Sequence, residues 1–147
     1  MDWSRLFPHV DQDYVGPRVP YYLLIAIAAV STARSLVHIL APDGGAGVIA
    51  GIDVGVQGGA NIIALFGQWG AVQLILAFFE WLAILRYRFL VPAMLGVVAI
   101  EQLLRLAVGQ LKPLEISSPP PGAIGSELVL PLAVIAVLWS LCRHGRG

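Results

Sequence analysis

Long apolar stretches divide this chain into four parts. They cover residues 21–41, 61–85, 90–108 and 124–142, and a helix needs about 20 such residues to cross a hydrocarbon core of roughly 30 Å. The fourth stretch contains Pro131, which favours a kink because proline has no backbone N–H to donate. The pattern predicts an all-α protein, an integral membrane four-helix bundle, and we expect one membrane domain over residues 1–147.

The segment between the first two spans has a different character. Residues 42–60 include seven glycines, and Val48, Ile49 and Ile52 are spaced as a short apolar face. Backbone at membrane depth must be buried in protein. We therefore expect a Gly-rich segment after helix one that is interfacial or re-entrant. A fifth span over residues 46–66 is the alternative.

The basic residues discriminate between four and five spans. Loops on the cytoplasmic side carry an excess of Lys and Arg. With four spans, Lys112 is alone on one side of the membrane. The other side, which has both termini, holds six basic residues: Arg5, Arg18, Arg86, Arg88, Arg143 and Arg146. A fifth span would move two of these arginines to the side of Lys112. This asymmetry predicts four spans in the inner (plasma) membrane, with both termini cytoplasmic.

The composition excludes several classes of function. The chain is 58% hydrophobic and 12% charged, with zero formal net charge. It contains no basic stretch of the kind that binds nucleic acid. The one cysteine, Cys142, excludes an internal disulfide and a Cys-rich metal site. His9 and His144 lie on the opposite side of the membrane from His38, which argues against a His-based metal or haem site. We expect neither metal nor cofactor.

Polar residues of all four helices fall in the outer half of the membrane. Arg34 and Arg105 interrupt apolar stretches, and an ionisable group in the membrane core costs at least about 2.5–3.5 kcal/mol. Ser31, Arg34 and His38 share one face of helix one at helical spacing. The residues that we expect to bind a ligand in this layer are Arg34, Arg105, Gln73, Gln68, Asn61 and Trp69.

Two pairs of opposite charges occur at matched depth. Arg34 matches Glu101, and Arg105 matches Glu127, so we expect ion pairs between helices. Glu101 and Arg105 are also four residues apart and can pair along their own helix. The alternative to a ligand site is a structural lock between helices one and three, with the amides forming hydrogen bonds between helices.

Three residues are candidates for acid–base chemistry: Glu101, Glu80 and His38. Glu80 lies in the inner half between Phe79 and Trp81, with no basic residue at its depth. Such an acid suits proton transfer, and it suits equally well a hydrogen bond to a neighbouring helix. The charge of His38 changes easily near neutral pH.

The layout resembles the DoxX-like group of small bacterial four-helix membrane proteins. The points of likeness are the Gly-rich loop, the Phe66–Gly70 sequence FGQWG, the Tyr87-Arg88 turn, and Glu101 with Arg105 in helix three. This resemblance implies quinone-linked or sulfur-linked redox chemistry. A second likeness, to the sterol-isomerase type of membrane bundle, concerns only the type of its buried acids and histidine.

Three functions follow as hypotheses. In the first, Arg34, His38, Glu101 and Gln73 receive the head of a lipid or lipophilic small molecule, and a catalysed reaction would be proton transfer, isomerase-like. The aromatic residues that would line its tail are Phe66, Trp69 and Phe78. In the second, the protein is a structural or assembly subunit of a membrane complex. In the third, it is a small proton-coupled transporter acting as a dimer, a homo-oligomer of this chain, since one such chain is small for alternating access.

Overall fold

Four α-helices form the part of the chain described by the computed structural model, residues 7–114, 116 and 120–142. Each helix is long and apolar enough to cross a membrane, and no strand occurs in these ranges. The protein is a four-helix membrane bundle, as the sequence predicts. The helices are α1 (Arg18–Leu40), α2 (Gly59–Leu85), α3 (Val91–Leu111) and α4 (Pro121–Ser140).

Each predicted span falls on one helix. The ends differ by a few residues. α4 begins before its predicted span, at Pro121, because proline fits the first turn of a helix, where its N–H is not needed. The fifth span is excluded, since residues 46–58 form turns and irregular backbone and the remainder of that stretch belongs to α2.

The helices associate as two pairs. α1 packs along α2 and α3 packs along α4, with fewer contacts between the pairs. We call the end of the bundle where α1 and α3 begin the terminal end, and the opposite end the loop end. All four helices contribute to a core that lies towards the terminal end: Leu24, Ala28, Ile84, Val91, Leu95, Val98, Ala133 and Ala136. This core holds the two pairs together.

The N-terminal segment closes the terminal end. Arg86 donates from Nη2 to the carbonyl of Phe7 at 2.8 Å, and the Tyr87 hydroxyl donates to the carbonyl of Pro8 at 3.0 Å. A short 3₁₀ turn, Arg88–Leu90, joins α2 to α3. These contacts tie the turn between the two helix pairs to the start of the chain.

The Gly-rich segment folds into compact turns organised by Asp43. Its carboxylate accepts backbone N–H groups from Val48 at 2.7 Å, Gly45 at 2.8 Å and Gly47 at 3.1 Å. The bonds from Val48 and Gly45 hold the pKa of Asp43 below its ordinary value, because they favour the ionised carboxylate. Gly44 and Gly45 adopt positive φ angles of 61° and 74°, which residues with a side chain rarely adopt. The segment thus turns sharply after α1.

Candidate functional site

A cleft of about 1360 Å³ opens at the loop end, between α1 on one side and α3 and α4 on the other. Phe66 and Trp69 of α2 contribute to its lining, as do residues of the Gly-rich segment and of the connection before α4. Most of its wall is apolar, for example Val30, Val37 and Leu104. Its polar lining on α1 and α3 comes mainly from Ser31, Arg34, His38, Glu101, Gln102 and Arg105. The cleft therefore combines apolar walls with one polar cluster.

Trp69 is the centre of this cluster. The His38 ring stacks on it at 4.9 Å between centroids, with 29° between the ring planes. The guanidinium carbons of Arg34 and Arg105 lie 5.6 Å and 4.9 Å from its ring centroid. Cation–π contacts contribute about 0.5–1 kcal/mol at exposed sites and about 2 when desolvated. Trp69 therefore brings together groups from α1 and α3.

Glu101 is the acceptor of the cluster. Its carboxylate accepts Nε2 of Gln73 at 3.0 Å and Nη1 of Arg105 at 3.4 Å, and it also accepts Nε2 of the neighbouring Gln102. The bond from Gln73 links α2 to α3. Glu101 therefore connects α3 to α2 and also lines the cleft.

The ion pairing differs from the expected pairs between helices. Arg105 pairs with Glu101, one turn earlier on its own helix, and Glu127 lies exposed near the start of α4. Within the described ranges no carboxylate oxygen lies within 4.0 Å of Arg34. The predicted Arg34–Glu101 and Arg105–Glu127 pairs are thus absent, because the i,i+4 spacing on α3 gives Arg105 a nearer partner.

Arg34 lies on the cleft without an ionic partner among the described residues. Its Nε atom is buried and makes no hydrogen bond to them. Its positive charge is met by the face of Trp69 rather than by a carboxylate. Such an arrangement leaves a guanidinium with unused donors at the polar end of an apolar cavity.

His38 is held in one orientation by the Gly-rich segment. Its Nδ1 lies 2.7 Å from the carbonyl oxygen of Gly44, so Nδ1 carries a proton and donates it, because a carbonyl only accepts. Nε2 is buried and has no hydrogen-bond partner in the described chain. Gly70 allows this packing, since a Cβ there would lie 2.6 Å from Cβ of His38.

Glu80 lies behind the cleft rather than on it. It is buried on α2 and lines a small cavity of about 10 Å³ together with Arg34, Gln73 and Glu101. Glu80 Oε2 and Gln73 Oε1 make no hydrogen bond to the described residues. A cavity of this size is close to the minimum that holds one water molecule. Glu80 therefore approaches the polar cluster from the side of the core.

Some predicted residues lie elsewhere. Asn61 and Gln68 are exposed on α2, and neither lines the cleft. Phe78 is also exposed, on the outer surface of α2. The structure thus brings together Arg34, His38, Trp69, Gln73, Glu101 and Arg105, with Glu80 behind them.

Gln102 is the member of the cluster that sequence reasoning missed. It is buried, donates to Glu101 and lines both the cleft and the small cavity. Its position in the sequence indicates that it faces inward, because it follows the core residues Leu95 and Val98 by seven and four positions. That stripe marks the face of α3 that turns inward.

The polar cluster contains groups that can donate hydrogen bonds and groups that can exchange protons. It offers two guanidinium groups, an oriented imidazole and one carboxylate beside an apolar space. In the described part of the chain no three His, Cys, Asp or Glu side chains come close enough to hold a metal ion. Comparisons with protein-family models, with curated proteins and with solved structures find no match to this chain.

Proposed function

We propose that this protein binds a lipid or a lipophilic small molecule in the cleft at its loop end. The observation that carries the proposal is the combination of a cleft of about 1360 Å³ with mostly apolar walls and a single polar cluster. Small-molecule sites are typically apolar cavities of roughly 300–1,000 Å³ with a few placed polar groups. The apolar tail of an elongated ligand would lie against the walls of the cleft, and the polar head of the ligand would contact the cluster.

The location of the cleft agrees with a ligand that enters from the membrane. Both termini are cytoplasmic in this proposal, so the loop end faces the outer half of the bilayer. The charge pattern supports this orientation, because Arg18, Arg86 and Arg88 lie at the terminal end and Lys112 at the loop end.

Proton transfer, such as an isomerisation, is the reaction class that the cluster suits. Nε2 of His38 has no hydrogen-bond partner among the described residues, and both His38 and Glu101 lie on the cleft wall. These two residues are the acid–base pair in this proposal, because a general acid or base must reach the proton that it moves. Glu80 is assigned no contact with the ligand, since it does not line the cleft.

A structural role for the polar layer is the second candidate. The hydrogen bond from Gln73 to Glu101 joins α2 to α3, as an assembly subunit would require. A purely structural layer predicts closed ion pairs and no cavity, however. Arg34 lies beside an open cleft and has no carboxylate within 4.0 Å in the described part of the chain, which favours the binding proposal.

Native mass spectrometry of the detergent-purified protein tests this function. The wild type is expected to retain a small molecule that is lost when the cleft is filled by Gly125→Phe. Gly125 lines the cleft, and a Cβ there meets no atom within 4 Å.

Gly96→Phe is the matched control. Gly96 also has open space around its Cβ position but does not line the cleft. Retention in this control and loss in Gly125→Phe would support the proposal. Equal retention in the two variants, or no retained molecule in the wild type, would contradict it.

A further inference from the structure

We infer that the cleft selects an amphiphile whose head is an oxyanion, a carboxylate or a phosphate, on an apolar chain. This inference rests on the proposed function and adds the chemistry of the head group. It follows from the charges on the cleft wall and from the way in which the protein pairs them.

Among the residues that the structure describes, the charged lining of the cleft has a positive excess. It contains three cationic side chains, Arg34, Arg105 and Lys112, and two carboxylates, Glu101 and Glu127. The carboxylate of Glu101 is already engaged by Arg105 at 3.4 Å. Among the described residues, Arg34 and Lys112 have no carboxylate within 4.0 Å, and Arg34 is the one of the two that contacts Trp69 in the polar cluster.

The surroundings of Arg34 make an oxyanion the fitting partner. A guanidinium in a low-dielectric site is stabilised by an opposite charge far more than in water. Its planar fork matches the geometry of carboxylate and phosphate oxygens. Arg105 contacts the same Trp69 ring at 4.9 Å, so its guanidinium lies close to the same head group. A neutral hydroxyl head would leave the excess charge uncompensated.

The other titratable groups near Arg34 do not replace such a ligand. Glu80 lines only the small cavity behind Arg34, and no ion pair joins the two within 4.0 Å in the described chain. His38 donates from Nδ1 to Gly44 and faces the Trp69 ring. The oxyanion position is consequently bounded by Arg34, Arg105 and Trp69.

Competition among three matched single-chain lipids tests the inference. Oleate, oleyl alcohol and oleylamine share one chain and differ in head charge. Native mass spectrometry in an uncharged maltoside detergent measures the concentration at which each lipid occupies half of the protein. We expect oleate to bind roughly tenfold more tightly than oleyl alcohol, and oleylamine most weakly. A hydrogen bond to a charged group is stronger than a neutral one by roughly 1.4 kcal/mol, which corresponds to a tenfold change in affinity.

The variants locate the selectivity. Arg34→Gln is expected to lose the preference for oleate while still binding oleyl alcohol. Arg34→Lys keeps the charge and is expected to keep the preference in part, which decides the matter should Arg34→Gln not fold. Arg88→Gln is the matched control, since Arg88 lies in the 3₁₀ turn at the terminal end and stacks on Tyr21. This variant is expected to keep the full preference for oleate over oleyl alcohol.

The outcomes separate the two proposals. Equal affinity for oleate and oleyl alcohol, or an unchanged preference in Arg34→Gln, would overturn the oxyanion inference and leave the lipophile site standing. Absence of binding by all three lipids and by phospholipids would overturn both. A parallel pair, dioleoyl phosphatidylglycerol and phosphatidylcholine, identifies the source of the oxyanion as a phospholipid or a free fatty acid.

Discussion

Trp69 organises the cleft because one indole ring serves three different neighbours. It stacks on His38 and lies against the guanidinium groups of Arg34 and Arg105. An aromatic face attracts cations without neutralising them. It therefore positions both arginines, and it leaves the charge of Arg34, which has no carboxylate within 4.0 Å among the described residues, available to a ligand.

Glu80 is a buried carboxyl group on α2 with an unpartnered oxygen among the described residues. Replacing it with Met, a side chain of similar volume, is expected to raise the thermal unfolding midpoint of the purified protein. A buried polar group without a partner costs about 1–3 kcal/mol, and Oε2 of Glu80 makes no hydrogen bond to the described residues. Differential scanning fluorimetry in detergent measures the shift.

Glu127→Met serves as the reference for this measurement. Glu127 is exposed at the start of α4, so its replacement should change stability by no more than about 0.5 kcal/mol. A lower midpoint in Glu80→Met would show instead that Glu80 makes a stabilising interaction in the folded protein.

At the scale of the helices, the close contact of α1 and α2 depends on one small residue. A Cβ at Gly70 would lie 2.6 Å from Cβ of His38 and 3.0 Å from the carbonyl oxygen of Ser35. Farther along the same pair, Trp81 donates from Nε1 to the Thr32 hydroxyl at 3.1 Å. The α1–α2 pair is thus tightly packed, and that packing sets the position of His38 on Trp69.

Gly70→Ala is expected to destabilise the protein by about 1–3 kcal/mol, the usual cost of overpacking a filled contact. The added methyl group should also displace His38 and weaken retention of the cleft ligand. Thermal unfolding and native mass spectrometry measure the two effects. The comparison variant is Gly96→Ala, where the Cβ meets no atom within 4 Å, and its stability should stay equal or rise slightly. Equal effects of the two variants would count against the close-contact argument.

The whole molecule is closed at one end and open at the other. The core from Leu24 to Ala136 joins all four helices towards the terminal end, whereas at the loop end the cleft separates α1 from α3 and α4. The polar cluster lies at the boundary between these two regions. A ligand in the cleft would therefore contact both helix pairs without disturbing the core.

The orientation of the molecule can be tested with its single cysteine. Cys142 is exposed just after α4, at the terminal end. A membrane-impermeant maleimide should label it in inside-out vesicles and not in right-side-out vesicles, because positive-inside topology places this end in the cytoplasm. The double variant Cys142→Ser, Val48→Cys should give the opposite pattern, since Val48 is exposed in the Gly-rich segment. Labelling of Cys142 in right-side-out vesicles would contradict the proposed orientation.

The sequence is sufficient to predict the four helices and their approximate ends, because hydropathy is a local property that sets where a span lies. Position along each helix also predicts an approximate depth for each polar residue. Arg34, Trp69, Gln73, Glu101 and Arg105 could thus be assigned to one layer before their contacts were known.

Which residues of that layer contact one another depends on the tertiary packing of the helices. Asn61 and Gln68 lie on the exposed side of α2, and Arg105 rather than Arg34 pairs with Glu101. Depth says nothing about the rotation of a helix around its axis, and rotation follows from packing with its neighbour. The packing of α1 on α2 and of α3 on α4 fixes the rotation of each helix. The cleft follows from that packing, because its walls are side chains distant in sequence that must first pack against their neighbours.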